Sequence, residues 1–459
     1  MSSMHLIARW NPEDAAFWRG PGRRVARRNL VLSVLTLMLA FAVWMLWSVV
    51  VVHLPAAGFR FSTNQLFWLA ALPALSGATL RVVYAFAVPM FGGRRWTALA
   101  TASLMVPALG MGFALRDPGT PYEVLVGLAL LCGLGGGNFA SSMAHVSYLF
   151  PRHRVGWALG LNAGLGNLGV SLAQALVPVV ITFGLFDAFG PATNAAAAGV
   201  GEGPPLWLQN AGFVWVPLIA LGSLAAWFGM NDLAQVRSTF GEQAVIFRRV
   251  HAWLTCWLYL GTFGSFIGFA AGFPLLLTSQ YPGTDAAQLA WAGPLVGAVL
   301  RPLGGWLSDR FGGARVTLWC LVAMLLGTVG LLQALAASAG PSAVQASFVA
   351  LFAAAGIGSA SVFRMIPVIF ARLHECAASA TGKAREAASR QAHTEAAATL
   401  GFSSAIAAYG GFVIPKSFGT ALQWTGSVAP ALVMFIAFYL SCIAITWWQY
   451  ARPGAALPC

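Results

Sequence analysis

The chain has 459 residues, of which 58% are hydrophobic and 8% charged, with 26 Lys and Arg against 13 Asp and Glu for a formal charge of +13. Soluble domains carry roughly a quarter charged residues, so a water-soluble globule of this length could not cover its surface, and an ordinary cytosolic enzyme is excluded. A basic excess on a soluble chain would suggest nucleic acid; here its distribution along the chain decides what it means.

A bilayer core takes about 20 apolar residues per helix. Such runs are expected near 30–52, 63–91, 96–115, 121–150, 155–185 and 206–229, then near 251–278, 285–307, 316–337, 343–371, 398–422 and 428–450. None shows the ten-residue alternation of a membrane barrel. The chain therefore reads as an all-α polytopic membrane protein of about twelve transmembrane helices. Its parts are an N-terminal tail (1–29), a first six-helix half (30–229), a linker (230–250), a second six-helix half (251–450) and a C-terminal tail (451–459).

Loop charge sets the orientation. The two terminal tails and every second loop hold 20 Lys and Arg, while the opposite side holds only Arg60, Arg116 and Lys416. Positive residues stay in the cytoplasm, which places both termini of this multi-pass chain there; a bacterial inner membrane is what the family resemblance given below implies. The +13 is then a topology signal, and no nucleic acid is expected. The polar tail before residue 30 does not fit a secretory signal. Cys132, Cys256, Cys320 and Cys442 fall inside spans, with no CxxC, and read as free buried thiols. No cofactor and no metal site are expected, and the chain is read as a monomer in the lipid bilayer.

The two halves repeat in sequence. Gly77-Ala78-Thr79-Leu80-Arg81 recurs as Gly297-Ala298-Val299-Leu300-Arg301, and ten residues after each Arg comes Phe-Gly-Gly (Phe91–Gly93, Phe311–Gly313), both at a shift of 220 residues. A weaker match sets Gly133-Leu134-Gly135-Gly136-Gly137-Asn138 against Gly356-Ile357-Gly358-Ser359-Ala360-Ser361. Small residues at this spacing permit close helix packing in lipid, and dense runs also admit a small ligand. Two six-helix halves in parallel repeat are the architecture of major facilitator transporters, which bind substrate near the midplane. The stretch Gly304 to Gly313 resembles that superfamily's cytoplasmic loop motif, GxLxDRxGG.

Arg81 and Arg301 each lie roughly 15 Å into the membrane at helical rise, where an Arg costs around 3 kcal/mol on insertion scales. None of the thirteen acids sits mid-span. Two cations at matching repeat positions, with no carboxylate expected in reach, call for a negative charge from the substrate. Guanidinium forks suit planar oxyanions, so the chemistry points to a small anion. Arg364 lies near a cytoplasmic helix end and is not assigned to the site; His145, at a similar depth, reads as a helix-end packing or hydrogen-bonding residue.

Five further stretches resemble the nitrate/nitrite porter family of the major facilitator superfamily, close to its NarK type: Gly77 to Thr97, Gly133 to Pro151, Leu159 to Ser171, Trp257 to Pro274 and Ala407 to Gly419. The resemblance implies that nitrate or nitrite is held between paired arginines, here Arg81 and Arg301. It implies flanking aromatics at Phe41, Phe139 and Phe263, and polar donors at Asn167 and Tyr259. Read from the residues alone, a Phe on an apolar helix is ordinarily packing, a mid-span Asn is as well served by an interhelical hydrogen bond, and Tyr259 is equally an interface tyrosine. With no mid-span acid to carry a proton, nitrate/nitrite antiport is the first expectation and nitrate–proton symport the second. A nitrate-binding sensor or an anion channel is a third, from another class. No nucleophile–base pair or nucleotide loop points to an enzyme.

Overall fold

A computed structural model of the protein describes residues 6–85, 87–186, 192, 205–234, 244–282, 289–381, 385–455, 457 and 459. Parts of the expected tails and linker (1–5, 235–243, 456 and 458), the beginning of the expected eighth span (285–288) and Lys383 lie outside them. The described chain is helical apart from one two-stranded parallel pairing of Leu6–Ile7 with Asp232–Leu233.

Eleven helices among the described residues are long and apolar enough to cross a membrane. The first half supplies α1 (Arg23–His53), α2 (Thr63–Tyr84), α3 (Gly93–Ala114), α4 (Tyr122–Leu149), α5 (Arg152–Val180) and α6 (Asn210–Gly229). The second half supplies α7 (Val250–Gln280), α8 (Ala292–Phe311), α9 (Gly313–Ala336), α10 (Pro341–Thr381), α11 (Gln391–Thr425) and α12 (Ala429–Ala451). The helix outside the eleven is α8: in 20 residues it carries Arg301, Asp309 and Arg310. It completes the expected twelve, and a candidate binding residue is what lowers its hydropathy. The chain is a multi-pass membrane protein.

The expected spans are recovered with three informative differences. The run 63–91 is broken: α2 ends at Tyr84 and a separate short helix occupies Ala87–Phe91. The polar segment from Arg372 to Ala397 is entered by helix from both sides, because α10 continues to Thr381 and a helix begins again at Arg385. The eighth helix runs on to Phe311, so the loop-motif residues Asp309 and Arg310 are its last turn.

Local chemistry explains the helix starts. Ser62 and Gln65 form a capping box at α2, with Gln65 N donating to Ser62 Oγ at 3.2 Å and Ser62 N to Gln65 Oε1 at 2.9 Å. The repeated Phe-Gly-Gly starts α3 and α9 through Gly92 (φ 86°, ψ 151°) and Gly312 (φ 90°, ψ 138°), positive-φ conformations that glycine adopts freely. A Cβ on the next glycine would enter the ring of His145 at Gly93 and lie 2.6 Å from Met365 Cγ at Gly313.

Contacts divide the chain into two compact units. One comprises Met1–Arg237, Gly268–Leu295 and Gly411–Val428, and the other Ser238–Ile267, Val296–Gly410 and Ala429–Cys459. In the first, α2 packs on α4 and α1 on α5. A Cβ on Gly133 would lie 2.6 Å from Gly77 N, and one on Gly169 would enter the Met38 carbonyl. In the second, α8 meets α10 where a Cβ on Gly356 would strike the Gly297 carbonyl. The glycines matched in sequence, Gly133 and Gly356, thus do the same work in each unit: each lets the arginine-bearing helix approach its neighbour's backbone.

Candidate functional site: two cation–aromatic cradles

In the first unit, α1 contributes Phe41 and Trp44, α2 contributes Arg81, and α4 contributes Gly136 and Phe139. Arg81 is 1% exposed, and its Nε donates to the Gly136 carbonyl at 2.9 Å. Its guanidinium carbon lies 4.7 Å from the centroid of Phe139 and 5.0 Å from that of Trp44. Phe41 stacks on Trp44 at 5.4 Å and reaches Phe139 at 5.9 Å. Trp44 is itself fixed, since Nε1 donates to the Pro73 carbonyl at 2.8 Å. Gly77 makes room for it: a Cβ there would sit 2.7 Å from Trp44 Nε1. Cation–π contacts in such a desolvated setting contribute about 2 kcal/mol each, which offsets part of the cost of the buried charge.

In the second unit, α7 contributes Tyr259, Phe263 and Phe266, and α8 contributes Arg301. Arg301 Nη2 donates to the Tyr259 hydroxyl at 2.7 Å, and its guanidinium carbon lies 5.2 Å from the Phe263 centroid. Tyr259 and Phe263 stack at 5.2 Å with their planes 9° apart, in a register set by a π-helical turn at Leu260–Gly264. Such turns are frequent at functional sites. Phe363 of α10 closes on Tyr259 at 5.3 Å. No carboxylate lies within ion-pair distance of Arg301 among the described residues.

The cradles correspond at four positions. Phe41 and Trp44 stand where Phe263 and Phe266 do at a shift of 222, and Gly77 and Arg81 match Gly297 and Arg301 at 220. A Cβ on Gly77 would meet Trp44, and one on Gly297 would meet Phe266 at 2.8 Å. The difference lies in the arginine's anchor, a backbone carbonyl in one unit and a tyrosine hydroxyl in the other. That hydroxyl accepts from Arg301 and keeps its own proton to donate.

The structure therefore groups Arg81 with Phe41 and Phe139, and Arg301 with Tyr259 and Phe263. Asn167 is not joined to either group by a recorded contact; it is 1% exposed on α5, and its Oδ1 accepts no hydrogen bond among the described residues. Trp44, Phe266 and Phe363 complete the cradles and were not among the expected residues. The i, i+3 pairs Phe41/Trp44 and Phe263/Phe266, repeated at one common shift, are the signal that marks the first two.

The remaining singled-out charges have partners at helix ends. Arg364 Nε donates to Asp309 Oδ1 at 2.6 Å in an exposed pair. His145 Nε2 lies 3.3 Å from Asn29 Oδ1, which also accepts from Asn231 N at 2.9 Å, so His145 belongs to a buried hydrogen-bonded cap. Beside it, Asp232 takes Arg94 N at 2.8 Å and Arg94 Nε at 3.2 Å.

A twelve-helix membrane chain with an internal repeat and a buried arginine at the same place in each repeat defines a class, and the chain belongs to it: it is a member of the Major Facilitator Superfamily, whose family model matches residues 32–389. Among curated relatives it is 49% identical to the nitrate/nitrite transporter NarU of Salmonella typhimurium, over 98% of this chain and 96% of the relative. It is 39% identical to the probable nitrate/nitrite antiporter NarK2 of Thermus thermophilus, over 99% of this chain and 98% of the relative. Among solved structures, a crystal structure of a D-xylose–proton symporter matches with a TM-score of 0.64 at 15% identity, covering 92% of this chain and 97% of the other. That last likeness shows the shared fold alone.

Proposed function

We propose that the chain is a secondary transporter of a bacterial inner membrane that exchanges nitrate for nitrite by alternating access, with both termini cytoplasmic. The duplicated cradle carries this reading. Each repeat supplies one buried guanidinium packed against aromatic rings, Trp44 and Phe139 for Arg81 and Phe263 for Arg301, and the edge donors of a guanidinium are the part that matches a planar oxyanion. Arg81 and Arg301, one in each repeat, are the residues that bind nitrate or nitrite. Tyr259 and Asn167 add polar groups, and Phe41, Phe139 and Phe263 exclude water and so strengthen each charge interaction. Residues 30–229 and 251–450 are the two moving halves, joined by 230–250 and flanked by the tails 1–29 and 451–459. The names of the relatives agree in transporting nitrate and nitrite.

Exchange is favoured over proton symport by where the carboxylates are. Asp232 is held by Arg94, Asp309 by Arg364, and Glu395 by both Nε and Nη2 of Arg249 at 2.9 Å. Each of these three carboxylates is engaged by an arginine of its own unit and is poorly placed to serve as a proton carrier.

Thermal unfolding of the purified protein tests the anion site. Nitrate or nitrite at about 100 times its Kd stabilises by about 2.7 kcal/mol, and the wild type should show the corresponding rise in Tm, absent in both Arg81→Lys and Arg301→Lys. An equal rise in both variants would remove the arginines from the site.

A further inference from the structure

The motif Ala407 to Gly419 contains a lysine that neither cradle uses. Lys416, on α11, belongs to the unit that holds Arg81. Its ammonium donates to Asn64 Oδ1 at 2.9 Å and lies 4.5 Å from the centroid of Trp68. Asn64, in the first turn of α2, donates from Nδ2 to Gln423 Oε1 at 2.7 Å. The seat is close-fitting: a Cβ on Gly419 would fall 2.7 Å from Phe67 Cβ and 3.0 Å from Asn64 Oδ1. Phe418 packs on Phe67 at 6.4 Å and Phe412 on Trp68 at 5.7 Å.

Among the described residues no carboxylate lies within ion-pair distance of Lys416. An ammonium has three donors, and here it meets one neutral amide oxygen and one ring face. It also stands far from the Arg81 cradle: Asn64 precedes Arg81 by 17 residues on α2, about 25 Å at helical rise. The sequence repeat assigns Asn64 and Lys416 to different halves, while their contact falls within one compact unit.

We propose that Lys416 is a gate residue that contacts the anion at the outer mouth, exchanging Asn64 and the Trp68 face for an incoming nitrate or nitrite as that end opens. The inference rests on the anion-exchange reading above. An ammonium is a point charge that takes any small oxyanion without planar selection, so Lys416 governs capture from one face and leaves the choice between nitrate and nitrite to the arginines. Its amide and ring contacts hold it in place while the outer end is closed.

The test is exchange kinetics in right-side-out and inside-out membrane vesicles, with saturating counter-anion on the far side. Exchange by wild-type vesicles establishes the underlying reading, and its absence overturns that reading and this one together. Lys416→Gln should raise the KM at the outer face by about fivefold to tenfold, a loss of steering charge, with the inner-face KM and the nitrate-to-nitrite ratio unchanged. Lys416→Arg should restore the outer KM, and Asn64→Ala, which keeps the cation, should not raise it. Wild-type exchange together with an unchanged outer KM in Lys416→Gln, or with an equal rise on both faces, refutes the gate role alone.

Discussion

Replacing Arg301 by lysine keeps the charge and removes the fork. In the native cradle the guanidinium spends one donor on Tyr259 at 2.7 Å and one face on Phe263 at 5.2 Å, which leaves further edge donors for an anion. A lysine ammonium reaching into the same space can hold the tyrosine or grip the anion by one contact, not do both with two parallel bonds. One charge-assisted hydrogen bond contributes about 1.5–3 kcal/mol, so anion affinity should fall by about tenfold to about 100-fold. The fold should tolerate the change, because Tyr259 stays stacked on Phe263 and Phe363 whatever stands at 301. The assay is nitrate uptake into nitrite-loaded proteoliposomes as a function of nitrate concentration, with monodispersity and Tm of the purified variant as controls. A KM within about twofold of wild type in a well-folded variant would refute the assignment of Arg301 to the anion.

Other outcomes follow from the same geometry. Gly133→Leu forces a side chain into Ser76 and the α2 backbone, 2.6 Å from Gly77 N, and should lower stability by about 1–3 kcal/mol, seen as a lower Tm. Gly92→Ala should cost more than Gly312→Ala: both carry positive φ, where strain is about 1–3 kcal/mol, but only Gly92's Cβ would enter the Asp232 carboxylate. At the other end of the second unit, Glu395 is 3% exposed and His374 Nε2 lies 3.2 Å from it. Arg249→Ala strands that carboxylate, a cost between the about 1 kcal/mol of exposed pairs and the about 3–5 kcal/mol of buried ones. Glu395→Gln, which leaves no buried anion, should lower Tm less.

Much of this was legible in the residues because membranes make charge informative. An arginine in an apolar span is too costly to be incidental, so Arg81 and Arg301 announce themselves, and a 220-residue shift shared by Gly-Ala-x-Leu-Arg and Phe-Gly-Gly exposes the repeat. Aromatic residues carry no such signal. Trp44, Phe266 and Phe363 sit in runs where nearly every residue is apolar, and only the folded geometry separates the ring that faces a guanidinium from the ring that faces lipid. Even α8 is obscured by its charges, since Arg301, Asp309 and Arg310 all fall within its 20 residues. The pairing of Asn64 with Lys416 spans 352 residues, and no local pattern in either segment encodes it. The polar stretch after Arg372 reads by composition as a short polar helix or a linker, and α10 continues into it because alanine-rich sequence with mixed charges is a good helix former outside the membrane as well.

Counterflow tests the central claim most directly. Purified protein in proteoliposomes loaded with nitrite, or left empty, is given external nitrate with and without an imposed pH gradient. The account predicts that internal nitrite accelerates nitrate entry while the pH gradient alone drives no accumulation. Uptake indifferent to internal nitrite and driven by the pH gradient would contradict it.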